Sequence, residues 1–181
     1  MKVTSLASGR FAARWFDDET LLWEDERLVK ARPIGGKWRA PAFRLRGKAK
    51  LATPVLFNPD ALAVSDAVRL ALSEFGGIEF LPIEVRGYGT YFVLHVLCAV
   101  APPPGSRFQT APPPSGNIVE FHSFPPGFSP PGPFFRLLHP RGSAAARFGF
   151  CFSSIFVSDV GARAIRETMK GFLDVVPVTQ G

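Results

Sequence analysis

The sequence FRLRGKAKLATPVLFNPDALAVSDAVRLALSEFGGIEFLPIEV at residues 43–85 is partly repeated by FRLLHPRGSAAARFGFCFSSIFVSDVGARAIRETMKGFLDVVPV at residues 135–178. Both stretches begin with Phe-Arg-Leu, both contain Val-Ser-Asp, and both end with a glycine and an apolar segment that includes a proline. The blocks occur in the same order, with only small insertions between them. We therefore predict a duplicated β-turn-helix-β unit, with unit 1 at residues 43–85 and unit 2 at residues 135–178.

The middle of each unit has the pattern of an amphipathic helix. In unit 1, apolar residues recur at a spacing that places them on one helical face: Val68, Ala71, Leu72 and Phe75. The pairs Ser65-Asp66 and Ser158-Asp159 precede the two helical segments, where a Ser or Asp side chain can accept hydrogen bonds from the free backbone N–H groups. Gly76 and Gly171 follow them as helix terminators. The units predict an α+β fold, with a mainly antiparallel sheet and two equivalent helices.

The composition is that of a globular chain. Its 181 residues are 46% hydrophobic and include 18 phenylalanines, enough for a packed core in one domain spanning residues 1–181. No apolar run has the length of a membrane span, and basic residues near the start interrupt any signal-peptide pattern. Cys98 and Cys151 lie in apolar surroundings, as buried reduced thiols do. We expect a cytoplasmic protein without a membrane segment.

The positive charge is concentrated in one segment. The chain has a net charge of +6, and residues 27–50 hold nine basic residues and no acidic one. Residues 51–181 hold nine residues of each sign, and residues 1–26 hold six acidic residues. Four cations of the basic segment alternate and would share one face of a strand: Arg44, Arg46, Lys48 and Lys50. They suit contact with phosphates or an acidic protein, or a solvated face, and the uneven charge favours a charged partner.

A β-hairpin is predicted after unit 1. Residues 78–86 and 91–100 are rich in β-branched and aromatic residues, and the glycine-containing stretch 87–90 joins them. The second strand is apolar on both faces, so we expect it in the middle of a sheet. His95 lies on this strand among apolar residues, which is more typical of a hydrogen-bonded core histidine than of a catalytic one.

Residues 101–133 form a proline-rich connection between the units. Proline lacks a backbone N–H and fixes φ, so most of this segment must be loop or polyproline II, and only residues 117–124 suit a strand. The segment is either a docking loop for a partner or a connection that packs over the sheet through its own aromatic residues. We favour the packed connection, and the aromatic residues concerned are Phe121, Phe124 and Phe128.

Several short motifs together resemble an immunity-protein family of bacterial polymorphic toxin systems, typified by myxobacterial members. The matching motifs are Leu81-Pro82-Ile83, residues 91–97, Phe135-Arg136-Leu137, Ile155-Phe156-Val157-Ser158-Asp159 and Gly171-Phe172. The resemblance extends over residues 62–178. Residues 1–42 are a variable N-terminal part in this interpretation.

The resemblance implies a small cytoplasmic protein that binds and neutralises a cognate toxin in a stoichiometric complex and has no catalytic residues of its own. We expect its contacts in the N-terminal part and the proline-rich connection, because buried aromatic and arginine anchors supply much of the affinity of protein complexes. The candidate anchors are Trp23, Trp38, Arg39, Arg44, Arg46, Phe124 and Phe128.

Two other functions are compatible with parts of the sequence. A nucleic-acid-binding module would neutralise phosphates and stack bases with the interleaved basic and aromatic residues Lys37, Trp38, Arg39, Phe43, Arg44, Arg46, Lys48 and Lys50. An enzyme would have to combine one of the Ser-Asp pairs with a distant histidine, and the sequence contains no nucleophile elbow or phosphate loop. Because the histidines and cysteines also lack metal-ligand spacing, we predict no enzymatic activity, no metal and no cofactor.

Overall fold

The computed structural model describes residues 3–8, 13–16, 27–40, 42–45, 55–58 and 61–180, which form an α+β fold. The strands are β1 (Val3–Ser8), β2 (Ala13–Phe16), β3 (Ala42–Leu45), β4 (Val55–Asn58), β5 (Ala61–Val64), β6 (Ile78–Val85), β7 (Gly89–Val96), β8 (Ala99–Val100), β9 (Arg107–Thr110), β10 (Ile118–Phe124), β11 (Phe134–Leu137), β12 (Phe156–Val157) and β13 (Leu173–Gln180). The helices are α1 (Asp66–Leu72), α2 (Ala144–Arg147) and α3 (Asp159–Thr168), with a 3-10 helix at Gly35–Lys37. None of the helices in these ranges is long and apolar enough to cross a membrane.

Six strands close into a barrel in the order β2-β3-β6-β7-β5-β4. The predicted hairpin is confirmed, because β6 and β7 pair antiparallel along their whole length. β7 lies between β5 and β6, and alternate side chains on it enter two different cores. Tyr91 and Val93 face the core of the barrel, whereas Leu94 and Val96 face α1 and α3. Burial on both faces is what its continuous apolar sequence predicts.

The remaining strands form a seven-stranded sheet in the order β8-β11-β12-β1-β13-β10-β9. Pairing in the barrel and the sheet is mostly antiparallel, as predicted, with parallel pairs at β2–β4, β3–β6, β8–β11 and β10–β13. The sheet is curled. Three strands separate β10 from β11 in the sheet order, yet rings from β10, β11 and β12 are in contact. The ring of Phe156 lies 5.3 Å from that of Phe121 and 5.6 Å from that of Phe135. With Phe124 and Phe128 these rings form what we call the aromatic cluster.

Helices α1 and α3 pack between the barrel and the sheet and share one hydrophobic core with both. The helices contribute Val68, Leu72, Ala162 and Ile165, the barrel contributes Leu62, Val64, Leu94 and Val96, and the sheet contributes Phe134, Val157 and Leu173. Strand alternation separates this core from the aromatic cluster. Phe134 and Val157 point towards the helices, whereas their neighbours Phe135 and Phe156 point towards the cluster.

The helix ends agree with the sequence prediction only in part. Ser65 caps α1, and its Oγ accepts a hydrogen bond from the Val68 N–H at 3.5 Å. Ser158 occupies the equivalent position before α3, but its side chain makes no capping hydrogen bond, so the capping prediction is wrong for this serine. It is buried, and its N–H donates to the Pro133 carbonyl oxygen at 3.0 Å. After α1, the residue with positive φ is Gly77, at 79°, and not Gly76.

The two predicted units share part of their topology. In unit 1, β7 lies between β5 and β6, the strands that flank α1, and in unit 2, β1 lies between β12 and β13, the strands that flank α3. The first strands differ, because β3 pairs with the last strand of its unit whereas β11 pairs with β12. Unit 2 also contains the short helix α2, which was not predicted from the sequence. The duplication of the whole unit therefore stays a prediction.

The proline-rich segment is a packed connection. β10 covers most of the expected strand at residues 117–124, and Phe124 at its end is fully buried. Phe128 stacks on Phe124 with the ring centroids 4.4 Å apart. β9 pairs with β10 and was not expected, because its sequence, RFQT, is mostly polar. The aromatic rings thus hold the segment on the sheet, as the favoured interpretation has it.

Gly161 generates the first prediction, because it lies where α3 approaches the backbone of Pro133. A Cβ at this position would collide with the Pro133 carbonyl oxygen and lie 3.2 Å from the Cβ of Val157. Gly→Ala in an open helix stabilises by about 1 kcal/mol. Here we expect Gly161→Ala to lower the free energy of unfolding by about 1–3 kcal/mol, measured by urea denaturation.

Gly36→Ala is the matched control, because a Cβ there meets no atom within 4 Å. We expect its free energy of unfolding to change by less than about 0.5 kcal/mol. A stabilising effect of Gly161→Ala would contradict the close approach of α3 to Pro133.

Candidate functional site

Residues 27–40, the longer of the two described parts of the basic segment, lie against the barrel, and we call this stretch the basic loop. Leu28 and Ile34 are its buried residues. They pack in the barrel core with strand residues that include Ile83 and Val93. Two apolar side chains therefore attach the basic loop to the barrel, and the polar residues of the loop lie nearer the surface.

Glu79 of β6 fixes the tip of the basic loop. Its carboxylate accepts hydrogen bonds from the Ile34 N–H at 2.9 Å and the Gly35 N–H at 2.6 Å. Ile34 has right-handed helical dihedrals and Gly35 has a φ of +53°, a combination that aims two successive N–H groups at one anion. Because the acceptor is charged, these bonds are stronger than those between neutral groups. Glycine is required at position 35, since the left-handed region is costly for other residues.

Two further hydrogen bonds hold the basic loop on the hairpin. His95 of β7 is 2% exposed, and its Nε2 lies 2.9 Å from the Arg32 carbonyl oxygen, so this nitrogen carries the proton and donates. The Trp38 Nε1–H donates to the Pro82 carbonyl oxygen at 2.6 Å. The prediction that His95 is a hydrogen-bonded core residue is confirmed. Its structural role is to fix the backbone of the basic loop.

The anchored loop presents its cations to solvent. Arg32, Lys37 and Arg39 are exposed. The Arg27 Nη1 donates to the Lys37 carbonyl oxygen at 3.1 Å, which links the start of the basic loop to its end. The cations are therefore carried on a backbone that is fixed at several points.

An exposed aromatic side chain borders the basic loop. Phe148, directly after α2, is 61% exposed, and its ring stacks on that of Phe150 with the centroids 5.5 Å apart. The Lys30 ammonium lies 5.2 Å from the Phe150 centroid, which joins this aromatic pair to the basic loop. We call the combined surface the basic surface, and it consists of Lys30, Arg32, Lys37, Trp38, Arg39, Arg147, Phe148 and Phe150.

Two of the predicted partner anchors lie on the basic surface. Trp38 is half-buried and Arg39 is exposed. Phe148 was not among the predicted anchors, because it lies inside predicted unit 2 and its exposure has no local signal in the sequence. The sequence Arg147-Phe148-Gly149-Phe150 combines a basic residue with two aromatic residues, and this was the available sign of a binding surface.

The other predicted anchors lie elsewhere. Phe124 is fully buried and Phe128 is stacked on it inside the aromatic cluster, so Phe124 is not on a surface that a partner reaches and its assignment as an anchor is wrong. Its ring contacts those of four other phenylalanines, Phe121, Phe128, Phe135 and Phe156, at centroid distances of 4.4–5.9 Å. Arg44 lies on β3, opposite Phe16 of β2. Trp23 and Arg46 lie outside the described residues.

The other side chains that could bind a metal or react chemically are the histidines, acidic residues and cysteines. Within the described ranges, no group of three His, Cys, Asp or Glu residues could hold a metal ion. Cys98 and Cys151 are free thiols, of which Cys151 is buried and Cys98 half-buried. Burial raises the pKa of both thiols, and the charge of Arg136 acts in the opposite direction on the pKa of Cys151.

No protein-family model matches the chain, and no curated protein is significantly similar to it. The resemblance to immunity proteins therefore rests on the short motifs quoted above. The geometry of the basic surface is a separate observation that does not depend on these motifs.

Glu79 generates the second prediction. In Glu79→Gln, one amide oxygen replaces two charged acceptors, so the Ile34 and Gly35 N–H groups lose part of their anchorage. We expect their hydrogen exchange, followed by NMR, to become at least about tenfold faster, which corresponds to about 1.4 kcal/mol.

Glu84→Gln is the control on the same strand. Glu84 accepts a hydrogen bond from Thr90 Oγ1 at 2.6 Å, and among the described residues of the basic loop none donates to it. Its effect on the Ile34 and Gly35 amides should be negligible. Unchanged protection of these amides in Glu79→Gln would show that the carboxylate does not fix the loop.

Proposed function

We propose that this protein is an immunity protein that binds a cognate bacterial toxin through the basic surface and neutralises it in a stoichiometric complex. The observation that carries the proposal is that the basic loop is pinned by Glu79, His95 and Trp38 while its cations stay exposed. We place this binding in the cytoplasm, where a delivered toxin would meet its inhibitor. The proposed activity is binding alone and includes no catalytic step.

The geometry of the basic surface suits a tight complex for two reasons. A loop that is already fixed loses little conformational freedom on binding, so more of the contact energy appears as affinity. Exposed cations accelerate association with an acidic partner, and a large exposed ring such as Phe148 supplies an anchor. The partner surface expected from this complementarity is acidic, with an apolar depression that accepts the Phe148 ring.

The proposal is tested by co-expression with the product of the reading frame next to the gene for this protein. We expect the neighbouring product to inhibit growth when expressed alone, growth to be restored by co-expression, and the two proteins to purify as one complex of fixed stoichiometry. A harmless neighbour that does not co-purify would remove the basis of the proposal.

Substitutions on the basic surface supply the third prediction. Arg39→Ala and Phe148→Ala should each weaken the affinity for the toxin at least about tenfold, or about 1.4 kcal/mol, because each removes an exposed anchor. The controls are Arg166→Ala on α3, which removes an equivalent exposed charge, and Leu70→Ala on α1, which removes an apolar side chain that is 57% exposed. Equal affinities for all four variants, measured by calorimetry, would exclude the basic surface as the binding site.

A nucleic-acid-binding function is the second candidate, and the stacked pair of Phe148 and Phe150 beside Lys30 is the observation that favours it. Bases stack on exposed aromatic rings, and cations neutralise phosphates. Binding to a single-stranded oligonucleotide that falls steeply with salt and is lost in Phe148→Ala would replace the immunity proposal. We expect no such binding at physiological salt.

A further inference from the structure

A groove on the protein surface lies between the end of α1 and α3, and we call it the helix pocket. Its volume is about 340 Å³, near the lower end of the range of small-molecule sites, which is roughly 300–1,000 Å³. The residues that line it are Glu74, Phe75, Val160, Arg163, Ala164 and Glu167. None of these six residues belongs to the basic surface, so the helix pocket is a separate candidate site.

The floor of the helix pocket is apolar and fixed in place. Phe75 and Ala164 are half-buried and pack against the core that the helices share with the barrel and the sheet. The Phe75 N–H donates to the Leu72 carbonyl oxygen at 3.1 Å, and the Phe75 ring meets that of Phe134 edge-on with the centroids 5.9 Å apart. Val160 is 58% exposed and adds an apolar side chain. A ligand with a short apolar portion would cover part of this surface, which the hydrophobic effect favours.

Three charged side chains border the apolar floor. Arg163 and Glu167 lie one turn apart on α3, a spacing that puts Cβ atoms about 5–6 Å from each other, and Glu74 comes from the α1 side. All three residues are exposed. Among the residues that the structure describes, none forms an ion pair or a hydrogen bond with these three side chains. The helix pocket therefore offers both signs of charge to a ligand.

The two signs of charge match the two ends of a zwitterion. An ammonium group has three N–H donors, so it can bond to carboxylates on both sides of the pocket, Glu74 and Glu167. The planar guanidinium of Arg163 suits a carboxylate. Water weakens each contact because the side chains are exposed, so a ligand that engages both signs at once is bound more tightly than one that engages a single sign.

We propose that the helix pocket binds a small α-amino acid with an apolar side chain. Its ammonium group lies between Glu74 and Glu167, its carboxylate lies on Arg163, and its side chain covers Phe75 and Val160. A simple amine is repelled by the guanidinium, and a simple carboxylate is repelled by the two glutamates. The site shares no residue with the basic surface and does not depend on the proposed toxin-binding function.

The test is an NMR titration of the ¹⁵N-labelled protein with L-leucine and three matched compounds. Isopentylamine lacks the carboxylate of leucine, isocaproate lacks the ammonium group, and glycine lacks the apolar side chain. We expect leucine to shift the amide resonances of Phe75 and Ala164 with an affinity at least about fivefold higher than that of each matched compound, because only leucine makes all the contacts. Equal affinity of leucine and any one of the three, or no shift of these amides with leucine, would overturn the assignment.

Substitution of single charges separates direct contacts from indirect effects. Arg163→Gln should weaken leucine binding at least about fivefold, and it should not weaken the binding of isopentylamine, which has no carboxylate for the guanidinium. Glu167→Gln should weaken the binding of both compounds, because both carry the ammonium group. Both residues are exposed, so we expect these variants to keep the fold.

Arg166→Gln is the matched control, because Arg166 is an exposed arginine on the same helix and does not line the helix pocket. Its leucine affinity should equal that of the unmodified protein. An equal loss of leucine binding in Arg163→Gln and Arg166→Gln would show that only the overall charge of α3 matters, and it would contradict the proposed site.

Discussion

The burial of α1 and α3 between the barrel and the sheet is the constraint on which the rest of the structure depends. Each helix has one apolar face, and Leu72 of α1 and Ile165 of α3 are completely buried. Transfer of such surfaces out of water is the main favourable term in folding. Because both helices share one core, the barrel and the sheet are held on its two sides. β7 links this core to the barrel core, because one of its faces packs against the helices and the other packs in the barrel core with Leu28 and Ile34 of the basic loop.

Apolar packing holds the basic loop on the barrel, but polar groups determine its conformation. Apolar contacts have little directional preference, whereas hydrogen bonds align specific atoms. Glu79 aligns two N–H groups, and His95 aligns one carbonyl oxygen. A segment with several like charges would otherwise adopt many conformations, because its cations repel one another. The Glu79 carboxylate, which accepts hydrogen bonds from the loop backbone, is thus a structural condition for a fixed basic surface.

Arg136 connects the sheet to the basic loop. It belongs to the Phe-Arg-Leu motif of unit 2, and its guanidinium donates to the Leu28 carbonyl oxygen in the basic loop. The residues on either side of it, Phe135 and Leu137, are buried in the aromatic cluster. The rigid aromatic packing on one face of β11 therefore sets the position of the arginine on the other.

The sequence by itself determined the local elements, because their signals lie within a few residues. The alternation and glycine turn of the β6–β7 hairpin, the helical spacing around Val68 and the apolar setting of His95 were sufficient to predict them. Tertiary structure alone decided the closure of the barrel, the order of the sheet, the pairing of polar β9, the burial of Phe124 and the exposure of Phe148. The two phenylalanines show the physical reason. Their side chains are identical, and which of them is covered depends on strands distant in sequence that fold over one and not the other.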